Sequence, residues 1–261
     1  MHIGRGGKAS KTEAMFFPGN GHRYEDADTS RMIITDDGGF IDFTKEFKYL
    51  GSIISSSLYS ADDVTHRIGK ATKVFGALKK KVFASRRVRP QAKVALYTAF
   101  VLSTLLYGSE CWALLKKDQD RLERFHRRCV RTMTGISSFM QWKRHKTSEE
   151  LNQRLGLHSM EHYLQVRALR WLGHMVRMDY QRLPRQLLFG WVRHPRLSGG
   201  RRMTYGIRMQ RVLKTALRRA RPEVRRAIEG RRGVGWFQFA QQRANWRRLV
   251  HAGSGDRHER H

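Results

Sequence analysis

The sequence predicts a mainly α-helical protein with a small β portion near its N-terminus. Apolar residues recur at helical spacing from residue 60 to residue 112 and again downstream. Short β-branched or aromatic runs, separated by turn residues, are confined to the first sixty residues. Together these patterns indicate a short strand region followed by a long helical region.

Three segments carry the strand signals. Residues 10–17 are predicted to enter a strand that ends at the Pro/Gly-rich residues 18–21. Residues 32–35 and 40–43 flank a turn sequence at residues 36–39, which predicts a hairpin. Residues 47–54 are interpreted as one further strand with Gly51 inside it, where a bulge or a close approach to a ligand is expected.

The first long helix is predicted to begin at Ser60, which forms a capping-box pattern with Asp63. Its apolar stripe consists of Val64, Ile68, Ala71, Phe75, Leu78 and Val82. Five cations lie off this stripe: Arg67, Lys70, Lys73, Lys80 and Lys81. This helix should therefore be amphipathic and basic on its outer side.

A second helix is predicted from Pro90, which suits the first position of a helix. Residues 94–107 are apolar on nearly every side, but a membrane span needs about 20 such residues. We therefore expect a buried partner for the first helix, with Leu96 and Phe100 in the interface.

Further helices are predicted downstream. The first covers residues 118–134, with Leu122, Phe125, Cys129 and Met133 inward and Gly135 as its stop. Thr147 and Glu150 form a second capping-box pattern. Residues 159–178, 207–220 and 236–250 should be helical, residues 184–206 a basic loop and residues 253–261 a disordered tail.

The charge is large and unevenly placed. The chain carries 52 Lys and Arg against 22 Asp and Glu, a net charge of +30. Residues 1–60 hold seven basic and eight acidic residues, so the remainder carries +31. Such a field favours polyanions, first nucleic acid and second an anionic membrane surface.

The chain offers little conventional site chemistry. Cys111 and Cys129 have no paired spacing and no secretory signal precedes them, which favours an intracellular location, nuclear or cytoplasmic. Cys111 is expected to pack as a small hydrophobic side chain. Histidine and cysteine pairs lack zinc-site spacing, so no metal site is expected. The acidic pairs at residues 26/28, 36/37 and 62/63 each have a structural explanation in a turn or a helix start.

Several ordered motifs resemble a known family. The segments SKTEAM, FKYLGSII, HRIGKATKVFGAL and LLYGSECWAL are similar to the end of the reverse-transcriptase region of LINE-type non-LTR retrotransposons. The later segments RALRWLGHMVRM, RLPRQLLFG and ANWRRLV resemble the stretch that follows the polymerase. The resemblance covers most of the chain.

This resemblance implies a domain order and residue roles. Residues 1–59 would be the end of the palm, 60–135 the thumb, 136–183 a helical C-terminal segment and 184–252 a basic loop with helices. Lys11 would be the proposed proton donor to pyrophosphate, and Phe47, Tyr49, Leu50 and Gly51 the primer grip. The nucleic-acid contacts would also include Arg67, Lys70, Lys73, Lys80, Lys81, Arg124 and Arg128.

The sequence also departs from the family. The YADD-type turn, whose aspartates hold catalytic magnesium, does not occur, and the C-terminal Cys/His knuckle of some relatives is absent. We therefore expect a truncated polymerase fragment that binds RNA or a DNA/RNA duplex, uses no cofactor and does not extend primers. The alternatives are a stand-alone basic RNA-binding protein and a module for anionic membrane surfaces.

Overall fold

The computed structural model describes residues 12–17, 31–33, 39–189, 205–229 and 235–251. These residues form two compact units, one up to His66 and one from Arg67 onward. The predicted fold class, mainly α with a small β portion, is confirmed. Lys11, the acidic pairs 26/28 and 36/37, and the tail 253–261 lie outside the described residues.

The first unit contains two small sheets. Strand β3 (Phe40–Phe43) pairs in parallel with β1 (Glu13–Ala14) and antiparallel with β2 (Arg31–Ile33). The antiparallel pairing of β2 with β3 confirms the strand pairing of the predicted hairpin, and residues 34–38, which include most of the predicted turn, lie outside the described residues. Strands β4 (Glu46–Tyr49) and β5 (Ser52–Ser55) form a separate antiparallel pair.

The interpretation of residues 47–54 as one strand is wrong. The chain reverses at Leu50 and Gly51, whose φ angles are +46° and +88°, and Tyr49 pairs with Ser52 across the turn. Two positive φ angles are typical of the tight turns that join twisted antiparallel strands. Gly51 therefore lies in the turn between the two strands, and its positive φ allows the chain to reverse there.

Helix α1 (Ala61–Leu78) continues through a π-helical turn at Lys79–Phe83. The following helical stretch consists of α2 (Pro90–Leu96), a π-helical turn (Tyr97–Leu102) and α3 (Ser103–Leu105). The aromatic rings of Phe75 and Phe83 stack with centroids 4.5 Å apart, and both meet Tyr97 edge-on at 6.4 Å. These three rings join the two predicted helices.

The predicted interface is only partly correct. Phe100 is 52 % exposed and Leu96 is half-buried, whereas Tyr97, Val101 and Leu105 are fully buried. A stretch that is apolar all round does not reveal which side faces the core. Packing against the neighbouring helices determines which side is buried.

The remaining helices are, in chain order, α4 (Lys116–Thr134), α5 (Ser138–Lys143), α6 (Ser148–Leu155), α7 (Met160–Arg177), α8 (Leu183–Phe189), α9 (Tyr205–Arg219), α10 (Pro222–Glu229), α11 (Gly235–Gln241) and α12 (Arg243–His251). The Thr147/Glu150 capping box forms as predicted, and Gly135 and Gly156 end their helices with positive φ. Helix α7 contacts α4, α8, α9, α11 and α12. It is the central element of the second unit.

Two helix boundaries differ from the prediction. Residues 184–189, predicted as loop, belong to α8. The proline at position 184 is tolerated because it lies in the first turn, where the backbone N–H that proline lacks has no partner within the helix. Residues 236–250 form two helices, α11 and α12, rather than one. The described residues contain no helix long and apolar enough to cross a bilayer.

Candidate nucleic-acid interface

The β4–β5 hairpin presents apolar side chains to solvent. Phe47 is 38 %, Tyr49 56 % and Leu50 74 % exposed. Residues 47 and 49 share one side of the strand, and their rings lie 6.4 Å apart at an interplanar angle of 27°. Large apolar groups in such a position are more typical of a binding surface than of a core.

Asp63 fixes this hairpin to the start of α1. Its carboxylate accepts a hydrogen bond from the backbone N–H of Ile53 at 3.0 Å, and the side chain is buried. This carboxylate therefore positions strand β5. Lys11, for which the resemblance implies a role as proton donor, lies outside the described residues.

The predicted cations of α1 differ in accessibility. Lys73, Lys80 and Lys81 are exposed and Lys70 is half-buried. Arg67 is only 4 % exposed, and its guanidinium lies 4.3 Å from the centroid of the Tyr107 ring. Arg67 therefore stabilises the helix pair through a cation–π contact.

The turn after α1 carries the densest exposed charge of this helix pair. Between residues 79 and 89 the sequence contains six cations and no acidic residue. All six are exposed: Lys79, Lys80, Lys81, Arg86, Arg87 and Arg89. We call these six residues the basic tip.

Helix α4 adds two of the predicted cations. Arg124 and Arg128 are exposed and lie one turn apart, while Leu122, Phe125 and Cys129 on the same helix are buried. The helix thus separates an apolar core side from a basic outer side, as its spacing predicted. Its pairing to α2 includes a hydrogen bond from the buried Lys93 ammonium to the Met133 carbonyl at 3.2 Å.

An exposed aromatic pair was not predicted. Phe139 and Trp142 on α5 are 64 % and 73 % exposed, with ring centroids 6.2 Å apart. Residues 143–146 follow immediately with the sequence Lys-Arg-His-Lys, all of them exposed. Flat rings beside cations are typical of surfaces that stack unpaired bases. The sequence signal for this surface is the run WKRHK at residues 142–146.

No family model and no solved structure matches this chain. The chain is similar to a transposon-derived protein. It is 26 % identical over 139 residues to a protein of Caenorhabditis elegans whose name describes it as uncharacterized and transposon-derived. The match covers 52 % of this chain and 48 % of the relative, so the chain spans about half the length of the curated relative it matches.

Three buried titratable groups of the second unit serve packing: Tyr97, His126 and Cys129. Tyr97 and His126 are fully buried, with the Tyr97 hydroxyl 2.8 Å from His126 Nδ1. Burial lowers the pKa of His126 to about 4 and raises the pKa of Cys129 to about 12. At neutral pH both groups are uncharged, so Cys129 is not an activated nucleophile.

The remaining predictions about site chemistry concern metals and Cys111. No cluster of three or more potential metal ligands occurs among the residues described here. His158 and His162 do approach each other, with ring centroids 4.3 Å apart. Cys111 is exposed, so the prediction that it packs inside is wrong: it lies on a short 3₁₀ turn, Ser109–Cys111, in which Ser109 is the buried residue.

Proposed function

We propose that the chain is a retrotransposon reverse-transcriptase segment that binds nucleic acid through a thumb-like helix pair. The observation that carries the proposal is the basic tip, with six exposed cations in eleven residues and no acidic residue among them. Arg and Lys in such density bind phosphates and release condensed counterions. The similarity to a transposon-derived protein and the ordered polymerase-like motifs support the same assignment.

The preferred ligand in this proposal is an RNA or DNA/RNA duplex. The basic tip and the exposed cations Arg124 and Arg128 supply phosphate contacts, which position a duplex without reading its sequence. The exposed β4–β5 hairpin, with Phe47, Tyr49, Leu50 and Gly51, is the proposed contact for a primer terminus. Arg67 is left out of this contact set because it is buried beside Tyr107.

Salt-dependent binding of a DNA/RNA duplex tests the proposal. The variant K80Q/K81Q should weaken binding and flatten the log–log salt dependence by up to about 0.9 for each phosphate that the variant no longer neutralises. R226Q/R248Q removes the same charge from exposed positions of α10 and α12 and should leave duplex binding nearly unchanged. Equal effects of the two double variants would remove the basic tip from the interface.

We also propose that the chain does not extend primers. The YADD motif does not occur in the sequence, and the two-metal mechanism needs the carboxylates of that motif to hold magnesium. Primer extension with magnesium and nucleotides should give no product, beside an intact polymerase as positive control. Extension that survived K11A and disappeared after asparagine replaced the aspartates at 26/28 or 36/37 would contradict this proposal.

A stand-alone RNA-binding protein is the second candidate, favoured by the exposed Phe139 and Trp142 rings. In this case the preferred ligand is a strand with unpaired bases. Trp142→Ala should weaken binding of single-stranded RNA more than binding of duplex, with Trp142→Phe as the control that keeps a flat ring. Genomic sequence upstream of Met1 separates the two candidates, because the reverse-transcriptase proposal predicts an intact or broken reading frame that encodes YADD.

A further inference from the structure

A groove between α7 and α12 is lined mostly by arginine and histidine side chains. It encloses about 590 Å3. Its ionisable lining consists of Arg170, His174 and Arg177 on α7 and Arg243, Arg247 and His251 on α12. This lining, which contains no carboxylate, is far from the composition of an ordinary small-molecule pocket.

The helical repeat produces two facing rows of these groups. On α7 they occur at positions 170, 174 and 177, and on α12 at positions 243, 247 and 251, so each row follows one side of its helix. With a rise of 1.5 Å per residue each row extends about 10–12 Å. At about 3.4 Å per nucleotide along a stacked strand, this length matches roughly three phosphates.

The base of the groove is built from close helix packing. The Trp246 indole N–H donates a hydrogen bond to the Leu169 carbonyl at 2.8 Å, and the ring covers Gly173 on α7. Leu169, Leu172 and Val176 continue this contact into the apolar core. The two rows are therefore presented from a packed base and not from mobile loops.

The electrostatics of the groove favour an anion. The Arg170 guanidinium donates a hydrogen bond to His251 Nε2 at 3.4 Å, which joins the two rows at one end. Arg177 donates a hydrogen bond to the Ala240 carbonyl at 2.8 Å, and burial together with the nearby charge of Arg243 lowers the pKa of Arg177. The positive charges of Arg177 and Arg243, brought together in a groove without a lining carboxylate, repel each other, and a bound polyanion relieves that repulsion.

We propose that this groove binds the sugar-phosphate backbone of a single RNA or DNA strand. The volume admits a short stretch of sugar-phosphate backbone, and guanidinium groups on both sides can bind phosphate oxygens in a bidentate manner. Phosphate contacts carry no sequence information, so the groove should not discriminate between bases. The inference rests on the proposed nucleic-acid function but places a second contact on elements separate from the basic tip.

The experiment measures binding of a labelled 20-nucleotide single strand, as RNA and as DNA, to the full chain at several salt concentrations. R170Q/R247Q should flatten the log–log salt slope by about 1.4, since each phosphate neutralised on a single strand contributes about 0.7. R170K/R247K, which keeps both charges, should retain the wild-type slope. R226Q/R248Q serves as the control for charge, and thermal melting of each variant verifies folding. Cross-linking of a photoreactive RNA strand should label peptides containing residues 170–177 and 243–251.

The outcomes separate the groove from the basic tip. If R170Q/R247Q and R226Q/R248Q have the same slope, or cross-links occur only at residues 79–89, the groove inference fails while the proposed function stands. If K80Q/K81Q has no effect but R170Q/R247Q does, the groove stands and the tip assignment fails. If the wild type binds neither duplex nor strand, both fail. A loss of binding to anionic vesicles by R170Q/R247Q, with an unchanged salt slope on RNA, would assign the groove to lipid and overturn the inference.

Discussion

Gly173 lies against the indole ring of Trp246, so closely that a Cβ atom at position 173 would overlap the ring. The contact joins α7 to α12, and the Trp246 N–H bond to the Leu169 carbonyl fixes the ring in that place. The absence of a side chain at 173 thus sets how closely the two helices approach. The same distance sets the width of the basic groove above them.

The first prediction concerns this contact. Gly173→Ala should lower the free energy of unfolding by about 1–3 kcal/mol, because the added methyl group forces the Trp246 ring or α12 to move. Urea denaturation measures the change. Gly69→Ala is the matched control: Gly69 is also helical, but nothing lies within 4 Å of the place that its added methyl group would occupy, so the substitution should stabilise by about 0.5–1 kcal/mol. Equal stability of the two variants would mean that α12 is not seated on Gly173.

The second prediction concerns the turn of the β4–β5 hairpin. Gly51→Val should cost about 1–3 kcal/mol, because a β-branched residue strongly disfavours the φ of +88° found there. It should also reduce duplex binding if the hairpin contacts a primer terminus. Gly51→Asn is the control, since asparagine tolerates positive φ better. Unchanged melting and unchanged duplex binding in Gly51→Val would deprive the primer-grip assignment of its physical basis.

Local features of this fold were predictable from sequence, and long-range ones were not. The Thr147/Glu150 capping box depends on residues three positions apart, and it forms as its pattern indicates. Arg67 was predicted to be on the outer side of α1, but Tyr107, forty residues later, provides a ring over which it is buried. The Gly173–Trp246 contact likewise spans 73 positions, so no periodicity within either helix reveals it.

The candidate surfaces follow the same division. The charge count after residue 60 pointed to a polyanion ligand, and the basic tip is visible in the sequence because its six cations are consecutive or nearly so. The groove was not visible, because its two rows come from segments about seventy residues apart. Each row alone resembles the solvated side of an ordinary helix.

The third prediction corrects the expectation for the helix that begins at Pro90. Leu105→Ala should destabilise the protein by about 2–5 kcal/mol, because Leu105 is fully buried and a cavity would remain. Phe100→Ala should change stability by no more than about 0.5 kcal/mol, because Phe100 is 52 % exposed. Thermal melting compares the two. A larger destabilisation in Phe100→Ala than in Leu105→Ala would show that the helix is rotated, with Phe100 and not Leu105 facing the core.

The last prediction concerns pH. Burial lowers the pKa of His126 from its ordinary 6.5 to about 4, so between these values the unfolded chain binds a proton that the folded chain does not. Stability from this group is therefore fully present above pH 6.5 and is lost as the pH falls toward 4. The loss should be on the order of 3 kcal/mol. Denaturation at pH 7 and pH 4.5 should show a smaller pH dependence in His126→Gln than in the wild type, while the exposed His145→Gln should keep the wild-type dependence. An identical pH dependence in His126→Gln and the wild type would show that His126 is protonated in the folded protein as readily as in the unfolded chain, contrary to its burial against Tyr97.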